Sequence, residues 1–484
     1  MTRINTNIPS MMGALYLSRN MEALNVALNR MATGIRINSA KDDPQGVITS
    51  DVLRGELTGI KSAITNAERA NNLMATAEGS MASINDMLLE IQSIIYEVAN
   101  EGALTRDEIE ARQLQVDNLV QAIDQVAGSA TFAGQKLLDG SLSYQTQNVD
   151  PAVITDLAIH KAPVGAASGE VPLAITQTAE AERGTLIFGH SQMAGGVSVR
   201  LTGPEGVAVV ELEEDMTSTE MVSAIQEVTE QTGLTAELVN GDPLQGVRIM
   251  TVGYGSDVSV RAEITSGNPI FFVLENAAGD VTNTDAGLDI ELSINGSHVV
   301  GQGLTAHYAS ASMDMELYFD EGWNNAGPPQ STSFEITSGG ALFQLGPEIG
   351  AEQQDSIGLK AMGSSNLGLS SLGFLSDLAS GGSCSLRTGR AAQMARIVEE
   401  SSSQVTAVRA RVGAFQNNTL TMAIDSLKQS QENISSARSS IVDADYAQET
   451  AVVTRQQILL EATRSAMAIA QSVPQQVLSL LLES

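Results

Sequence analysis

The chain has 484 residues, 43% hydrophobic and 17% charged, with a formal net charge of −31. This is room for about two to four domains, and the lone Cys384, in a Gly/Ser-rich turn, excludes an internal disulfide framework and reads as a small turn residue rather than a nucleophile. The acidity argues against nucleic acid and anionic membrane as partners, no stretch approaches the ~20 apolar residues of a membrane span, and no apolar run follows a basic start, so neither membrane insertion nor a cleaved signal is expected.

From Ala14 the apolar residues recur as Ala14, Leu17, Met21, Leu24, Leu28, Met31 and Ile35, the unbroken 3-4 alternation of a coiled-coil seam. The positions between are mostly small or uncharged (Asn20, Ala23, Asn25, Ala27, Asn29), so this helix is expected to be enclosed by other helices. Gly34 weakens it, and Asp43 with Pro44 forms an N-cap and N1 pair for the next. There Ile60, Ile64, Ala67 and Met74 hold one register. After a three-residue slip, Ala77, Met81, Ile84, Leu88, Ile91, Ile95 and Val98 continue it. Pro44 to Asn100 makes a rod of roughly 85 Å, ended by Gly102. Thr105-Arg-Asp-Glu108 is a capping box opening an antiparallel partner helix with the stripe Ile109, Val116, Leu119, Ile123 and Val126. Leu137-Leu-Asp-Gly140 reads as a strand turning.

Residues 176–340 are a different polypeptide, with four arginines, no lysine and 24 acidic residues, a net −20, and nine of the 17 aromatics. Thr185–Phe188, Gly206–Leu212, Val247–Val252 and Ser333–Thr337 are strand-like, Asn240-Gly241 and Asn295-Gly296 are hairpin-turn dipeptides, and Ser218–Gln231 is a helix with Met221, Ile225 and Val228 on one face. The charge reads as solubility and repulsion between crowded outer domains. Gly363–Gly389 is Gly/Ser-rich and its fold is not legible.

No proline interrupts the chain between Pro347 and Pro474. Val405, Val408, Val412 and Phe415, then Leu420, Ile424, Leu427, Ile434 and Ile441 form a second long helical stripe. Asp443 and Asp445 mark a cap, after which Val452, Leu459, Ala462, Ala466, Ile469 and Val473 repeat the heptad. Helical arms at both ends imply that the ends pair. Two arms pairing only with each other leave about half of each uncharged helix exposed, which burial against further copies removes.

Two regions carry a family resemblance. Thr33-Gly-Ile-Arg-Ile-Asn-Ser-Ala-Lys-Asp-Asp-Pro44 resembles the junction motif of bacterial flagellins, in which Arg36, Asn38, Lys41, Asp42 and Asp43 are the characteristic positions. Ile441-Val-Asp-Ala-Asp-Tyr-Ala-Gln-Glu449 and Val473-Pro-Gln-Gln-Val-Leu-Ser-Leu-Leu481 resemble the flagellin C-terminal signature. The resemblance implies a mainly α protein with an α+β insert. Arms 1–43 and 444–484 would line an inner tube, 44–175 and 341–443 would form a rod domain, and 176–340 would project outward. It also implies self-polymerisation through Leu17, Met21, Leu24, Leu28, Met31, Ile35, Val452, Leu459, Ala462, Ala466, Ile469, Val473, Leu478 and Leu481. Its implied partners are further copies, a hook–filament junction protein, a filament cap protein, an export chaperone and a type III export apparatus that needs no cleaved signal. The place is then an extracellular filament.

Strand, helix and strand from Val207 to Val252 look similar to a small α+β repeat inserted in many flagellins, and Asp289–Ser297 is expected to open a second copy. Some flagellins carry a zinc peptidase here, but His160, His190, His298 and His307 include no pair three or four apart, and no phosphate loop or nucleophile elbow occurs. Contiguous acids such as Glu213-Glu214-Asp215 read as a solvated run. Neither an enzyme nor a cofactor is expected. The alternatives are the hook–filament junction protein, which shares both arms, and a secreted coiled-coil adhesin, which needs an anchor. Finally, flagellins that vertebrate Toll-like receptors detect usually carry two arginines and a leucine on the rod helix. Counting from Glu78-Gly79, these fall on Glu90, Gln92 and Ile94, with a partner glutamate falling on Gln115, so weak detection is expected.

Overall fold

The computed structural model describes residues 6–99, 105–163, 169–310 and 312–482, without side chains at 351 and from 474 onward. Its longer helices are α1 (Ile8–Thr33), α2 (Pro44–Val98), α3 (Arg106–Ser129), α4 (Ser218–Gln226), α5 (Ala391–Ala414), α6 (Met422–Val442) and α7 (Tyr446–Leu482). The chain divides into two compact units. One holds Met1–Glu68, Leu345–Ile349 and Leu420–Ser484; the other holds Arg69–Gln344 and Gly350–Thr419.

In the first unit α1 pairs with α7. Gly34 ends α1 in the left-handed conformation (φ 70°), where a residue without Cβ is least strained. Asp43 accepts from the Gly46 amide at 3.0 Å and so caps α2, as the Asp-Pro pair predicts. Further along α2, Ile60, Ala63 and Ile64 pack with Leu427 and Ile434 of α6.

In the second unit the expected α2 register is the buried one: Met74, Ala77, Met81, Ile84, Leu88, Ile91, Ile95 and Val98 are all at most 4% exposed. Helix α5 runs antiparallel to it, tied by Arg409 to Glu78 (2.8 Å) and Ser402 to Asn85 (3.0 Å). Helix α3 is opened by the predicted Thr105/Glu108 capping box and joined to α2 by Arg112–Glu97 at 2.7 Å. Gly102 lies outside the described residues. The α3 stripe is rotated from the expectation. Val116 and Ile123 are buried, but Gln113, Val120 and Ala127 complete the face while Ile109, Leu119 and Val126 are only half-buried.

The rotation has a cause in Gly363–Gly389. This stretch folds as turns and short 3-10 segments held by polar groups of α3. Ser364 donates from backbone and hydroxyl to Asp124, and Ser380 does the same to Asp117. The fully buried Gln113 donates to Leu378 O (2.9 Å) and accepts from Leu386 N (2.7 Å). A polar row on α3 supplies the partners that a glycine-rich segment lacks. Cys384 is buried in this turn.

Between α5 and α6, Phe415–Thr421 is a π-helical turn. The apolar residues there are Phe415 and Leu420, five apart, and the wider turn absorbs the extra residue.

The insert is built from strands β1 (Tyr144–Gln147), β2 (Ile154–Lys161), β3 (Val171–Ala179), β4 (Thr185–Phe188), β5 (Val197–Thr202), β6 (Val207–Leu212), β7 (Leu234–Leu238), β8 (Val247–Thr251) and β9 (Ser259–Gly267). They are followed by β10 (Glu275–Asn276), β11 (Thr284–Ala286), β12 (Glu291–Ile294), β13 (Ser297–Val300), β14 (Thr305–Ala309), β15 (Asp314–Phe319) and β16 (Gln330–Gly339). Sheets β13-β12-β3-β16-β1 and β14-β15-β2 share one core, including Leu173, Ile175, Leu292, Met315, Leu317, Phe334 and Ile336. Sheets β10-β4-β8-β7 and β11-β9-β5-β6 share a second with Met221 and Ile225 of α4. Asn295 and Gly296 both have positive φ and close the β12–β13 hairpin, as the dipeptide predicts.

Four expectations need correction. The helix expected over Ser218–Gln231 stops at Gln226 and resumes as a single turn, Thr229–Thr232. Asp289–Ser297 opens no second α+β copy: β12–β15 follow one another and only the four-residue helix Glu321–Asn324 intervenes before β16. Leu137 and Leu138 are fully buried turn residues, following a two-residue ladder of Thr131–Phe132 with Gln135–Lys136. The 175/176 boundary cuts through β3, because sequence composition changes later than the fold does. The insert's root is where Leu359 N donates to Leu142 O (3.1 Å) and Met362 N to Leu138 O (2.9 Å). The Leu142–Leu359 contact places its ends near residues 143 and 358.

Candidate functional site

The arm pair is antiparallel. Asn7 donates to Ala470 O (2.8 Å), Asn20 to Thr463 Oγ1 (3.0 Å), and Arg30 to Glu449 Oε1 (3.4 Å). The α1 row facing α7 is Ser10, Gly13, Leu17, Asn20, Leu24, Ala27 and Met31, with Ala27 buried and the others half-buried. From α7 it meets Glu449, Val453, Gln456, Leu460, Thr463, Met467 and Ala470.

These rows differ from the sequence expectation. On α1 both rows contain Leu17, Leu24 and Met31, but α7 lies on the side of Asn20 and Ala27. Ala14 and the 45%-exposed Met21 and Leu28 are left on the open edge. On α7 the contact row lies one residue beyond the expected one. Val452 is half-buried, while Leu459, Ala462, Ala466, Ile469 and Val473 face away from α1, Ile469 being 66% exposed. The side chains of Leu478 and Leu481 lie outside the described set. Between Leu17, Leu24 and Met31 of α1 and Val453, Leu460 and Met467 of α7, the inward rows carry small and hydrogen-bonding residues (Gly13, Asn20, Ala27, Thr463 and Ala470) that allow close approach. The larger apolar residues, with Ile8, Met11, Met12, Leu15 and Ile458, face outward. An apolar face of this extent is unusual for a lone soluble chain.

At the root of the arms the junction motif forms a clasp. Ile35 bridges Asp443, Arg36 N donates to Val442 O (2.6 Å), and Ala444 N donates to Gly34 O (2.9 Å). The Arg36 guanidinium donates to the carbonyls of Ser440 and Ile441, which the end of α6 leaves without helical partners. The Asp42 carboxylate accepts from the Asn38 and Ser39 amides and the Ser39 hydroxyl, and the Ser39 bonds hold its pKa below the ordinary aspartate value. Asn38 Nδ2 donates to Ile35 O, Asp43 caps α2, and Lys41 is exposed. Asp445 caps α7 through the amides of Ala447 (2.8 Å) and Gln448 (3.2 Å). The motif residues thus shape a turn and a crossover; sequence spacing did not reveal that Arg36 caps a helix some 400 positions away.

On the rod, Glu90 and Gln115 are exposed, and Gln92 is half-buried beside Tyr96 (3.3 Å). Gln115 is held by Arg112 at 2.9 Å. Ile94 is 5% exposed and belongs to the core of the bundle, so it is removed from the receptor-facing set. Among the described residues no three His, Cys, Asp or Glu side chains gather as a metal site, and no helix is long and apolar enough to cross a membrane.

Two family models match the chain: the bacterial flagellin N-terminal helical region over residues 4–143 and the bacterial flagellin C-terminal helical region over residues 395–481. Flagellin of Salmonella typhimurium is 27% identical over 521 aligned residues, with 99% of each chain covered. B-type flagellin of Pseudomonas aeruginosa is 27% identical and flagellin D of Vibrio cholerae 24%, again over 99% of both chains. The solved structure of FliC from Burkholderia pseudomallei covers 72% of this chain and 99% of its own at 12% identity, with a TM-score of 0.24, an overlap too loose to place residues. The two matched ends contain α1, α2 and α3 at one side and α6 and α7 at the other, with the arm pair and its clasp built wholly from them. The chain belongs to the bacterial flagellin family and is a structural subunit of the flagellar filament.

Proposed function

We propose that the outward faces of α1 and α7 are the surfaces on which neighbouring copies pack, so that the arms, about 1–43 and 444–484, line the filament's inner tube. The carrying observation is the inside-out character of the pair: Met21, Leu28, Leu459, Ile469 and Val473 are turned away from the partner arm. The rod segments then form an outer tube, and the acidic insert projects from it. Ordering the arms costs conformational entropy that a single half-buried helix pair offsets poorly. Their folding is therefore coupled to docking on the growing end. Head-to-tail contacts of this kind extend into a helical polymer when they do not close into a ring. The hook–filament junction protein, cap protein, export chaperone and type III apparatus are partners by the same reading, and the chain carries no catalysis.

Removal of residues 450–484 tests it. The truncated chain is expected to remain a soluble monomer with its rod helices intact and to form no filaments by electron microscopy. Filaments of normal stability from that chain would refute the assignment.

A further inference from the structure

Seven-residue repeats on two helices are compatible with more than one pairing. Sliding one arm by a heptad, about 10 Å, restores a 3-4 row against a 3-4 row. The clasp bonds between Gly34–Arg36 and Val442–Ala444 are mostly main-chain and carry little sequence information. Something else has to select the pairing.

Among the described residues of the two arms, Arg30 and Glu449 are the only charged side chains turned inward; Arg19, Glu22, Arg455, Glu461 and Arg464 are exposed. The Glu449 side chain is 10% exposed and that of Arg30 is 30%. One carboxylate oxygen meets Arg30, while the other is buried with no hydrogen-bond partner. A half-satisfied buried carboxylate is a poor stabiliser, and apolar residues of similar volume in its place are often neutral or better. A role in selecting one arrangement is the best-attested use of such a pair.

We propose that Arg30 and Glu449, backed by Asn20 and Thr463, set the register in which the two arms pair. In the native register each finds its partner. Slipped by one heptad, Glu449 either faces Ala23, with no cation opposite, or passes the end of α1 toward Ile37, where Arg36 is engaged in the clasp only in the native arrangement, and Asn20 faces Gln456 or Ala470. The proposal concerns pairing within one chain and does not depend on which outer surfaces meet in the filament.

The test is a cross-linking map in a Cys384→Ser background. A Cβ built on Gly13 lies 3.4 Å from Met467 Cβ, at the short end of the disulfide range, so Gly13→Cys/Met467→Cys reports the native register. Gly13→Cys/Leu460→Cys and Ala27→Cys/Leu460→Cys report the two slipped ones. Each pair is oxidised mildly, in soluble and in sedimented protein, and the products are mapped by peptide mass. Native cross-links are expected to exceed slipped ones at least tenfold in the parent. With Arg30→Leu/Glu449→Leu that ratio should fall at least tenfold while far-UV circular dichroism keeps its helical signal. With the swapped pair Arg30→Glu/Glu449→Arg the ratio should recover. An unchanged ratio in the Leu/Leu variant, failure of the swap to restore it, or absence of the 13/467 bond from the parent in both fractions overturns the proposal.

Discussion

Leu459 and Ile469 stand 41% and 66% exposed on the face of α7 turned away from α1, together about one full aliphatic side chain of surface. Enclosing one such side chain stabilises by about 1.5–3 kcal/mol. If neighbouring copies cover this face, Leu459→Asn/Ile469→Asn should weaken subunit addition by that amount. The critical concentration for polymerisation should then rise roughly 10- to 150-fold. The soluble chain should be little changed, because both side chains are exposed on the face of α7 outside the row that meets α1. Sedimentation of polymer at a series of total concentrations gives the critical value directly, and urea unfolding of the soluble fraction supplies the control. A critical concentration within threefold of the parent would show that this face remains in solvent in the filament, and the burial argument would fail.

Gln113→Leu leaves the Leu386 amide and the Leu378 carbonyl unmet and should destabilise the rod by about 2–5 kcal/mol in urea, with faster amide exchange across 375–388; unchanged exchange there would refute the anchoring role. Glu316 is held below its ordinary value of 4.5 by the adjacent His160 imidazole, whose Nε2 lies 3.7 Å away, against burial that raises it, with Arg411 at 3.1 Å adding to the lowering. A depressed carboxylate gives stability that is complete above its unfolded value and is lost as pH falls through the lower folded one, so Glu316→Gln should flatten the acid side of the urea-midpoint profile below about pH 4.5. Replacing 143–358 with a two-residue turn should preserve filaments, whereas cutting at 180–338 strips β12 and β16 from β3 and should yield aggregates; light scattering and microscopy separate the two. Monomeric protein should activate a flagellin-receptor reporter weakly, and Glu90→Arg/Gln92→Arg should strengthen the response; potent parent signalling unaltered by the change would dispose of the reading.

The parts legible in the sequence share a physical feature. Along α2 the residues of the heptad register from Met74 to Val98 are the buried ones, so periodicity and burial coincide. The Thr105/Glu108 capping box and the Asn295-Gly296 turn are local chemistry and read directly. The arms defeat the same procedure because hydrophobicity ranks Met21 and Leu28 above Asn20 and Ala27, and in a single chain the smaller residues take the interface. The fold of Gly363–Gly389 depends on Gln113, Asp117 and Asp124, some 240 to 270 positions away, which no local pattern discloses. The π turn left a trace, the five-residue step from Phe415 to Leu420. The insert's root left none, since Leu142 and Leu359 meet through backbone alone.

That root bears on how the chain folds. Helices α3 and α5 must find each other across an intervening segment of about 260 residues, and closing a flexible loop of that length costs about 5 kcal/mol on the logarithmic scale. Once the sheets have formed and Leu142 lies against Leu359, the segment behaves as a short rigid bridge and most of that entropy has already been lost elsewhere. An outer domain that formed first from contacts of its own would draw the two halves of the rod within reach and leave the terminal arms, the most distant partners along the chain, to meet last.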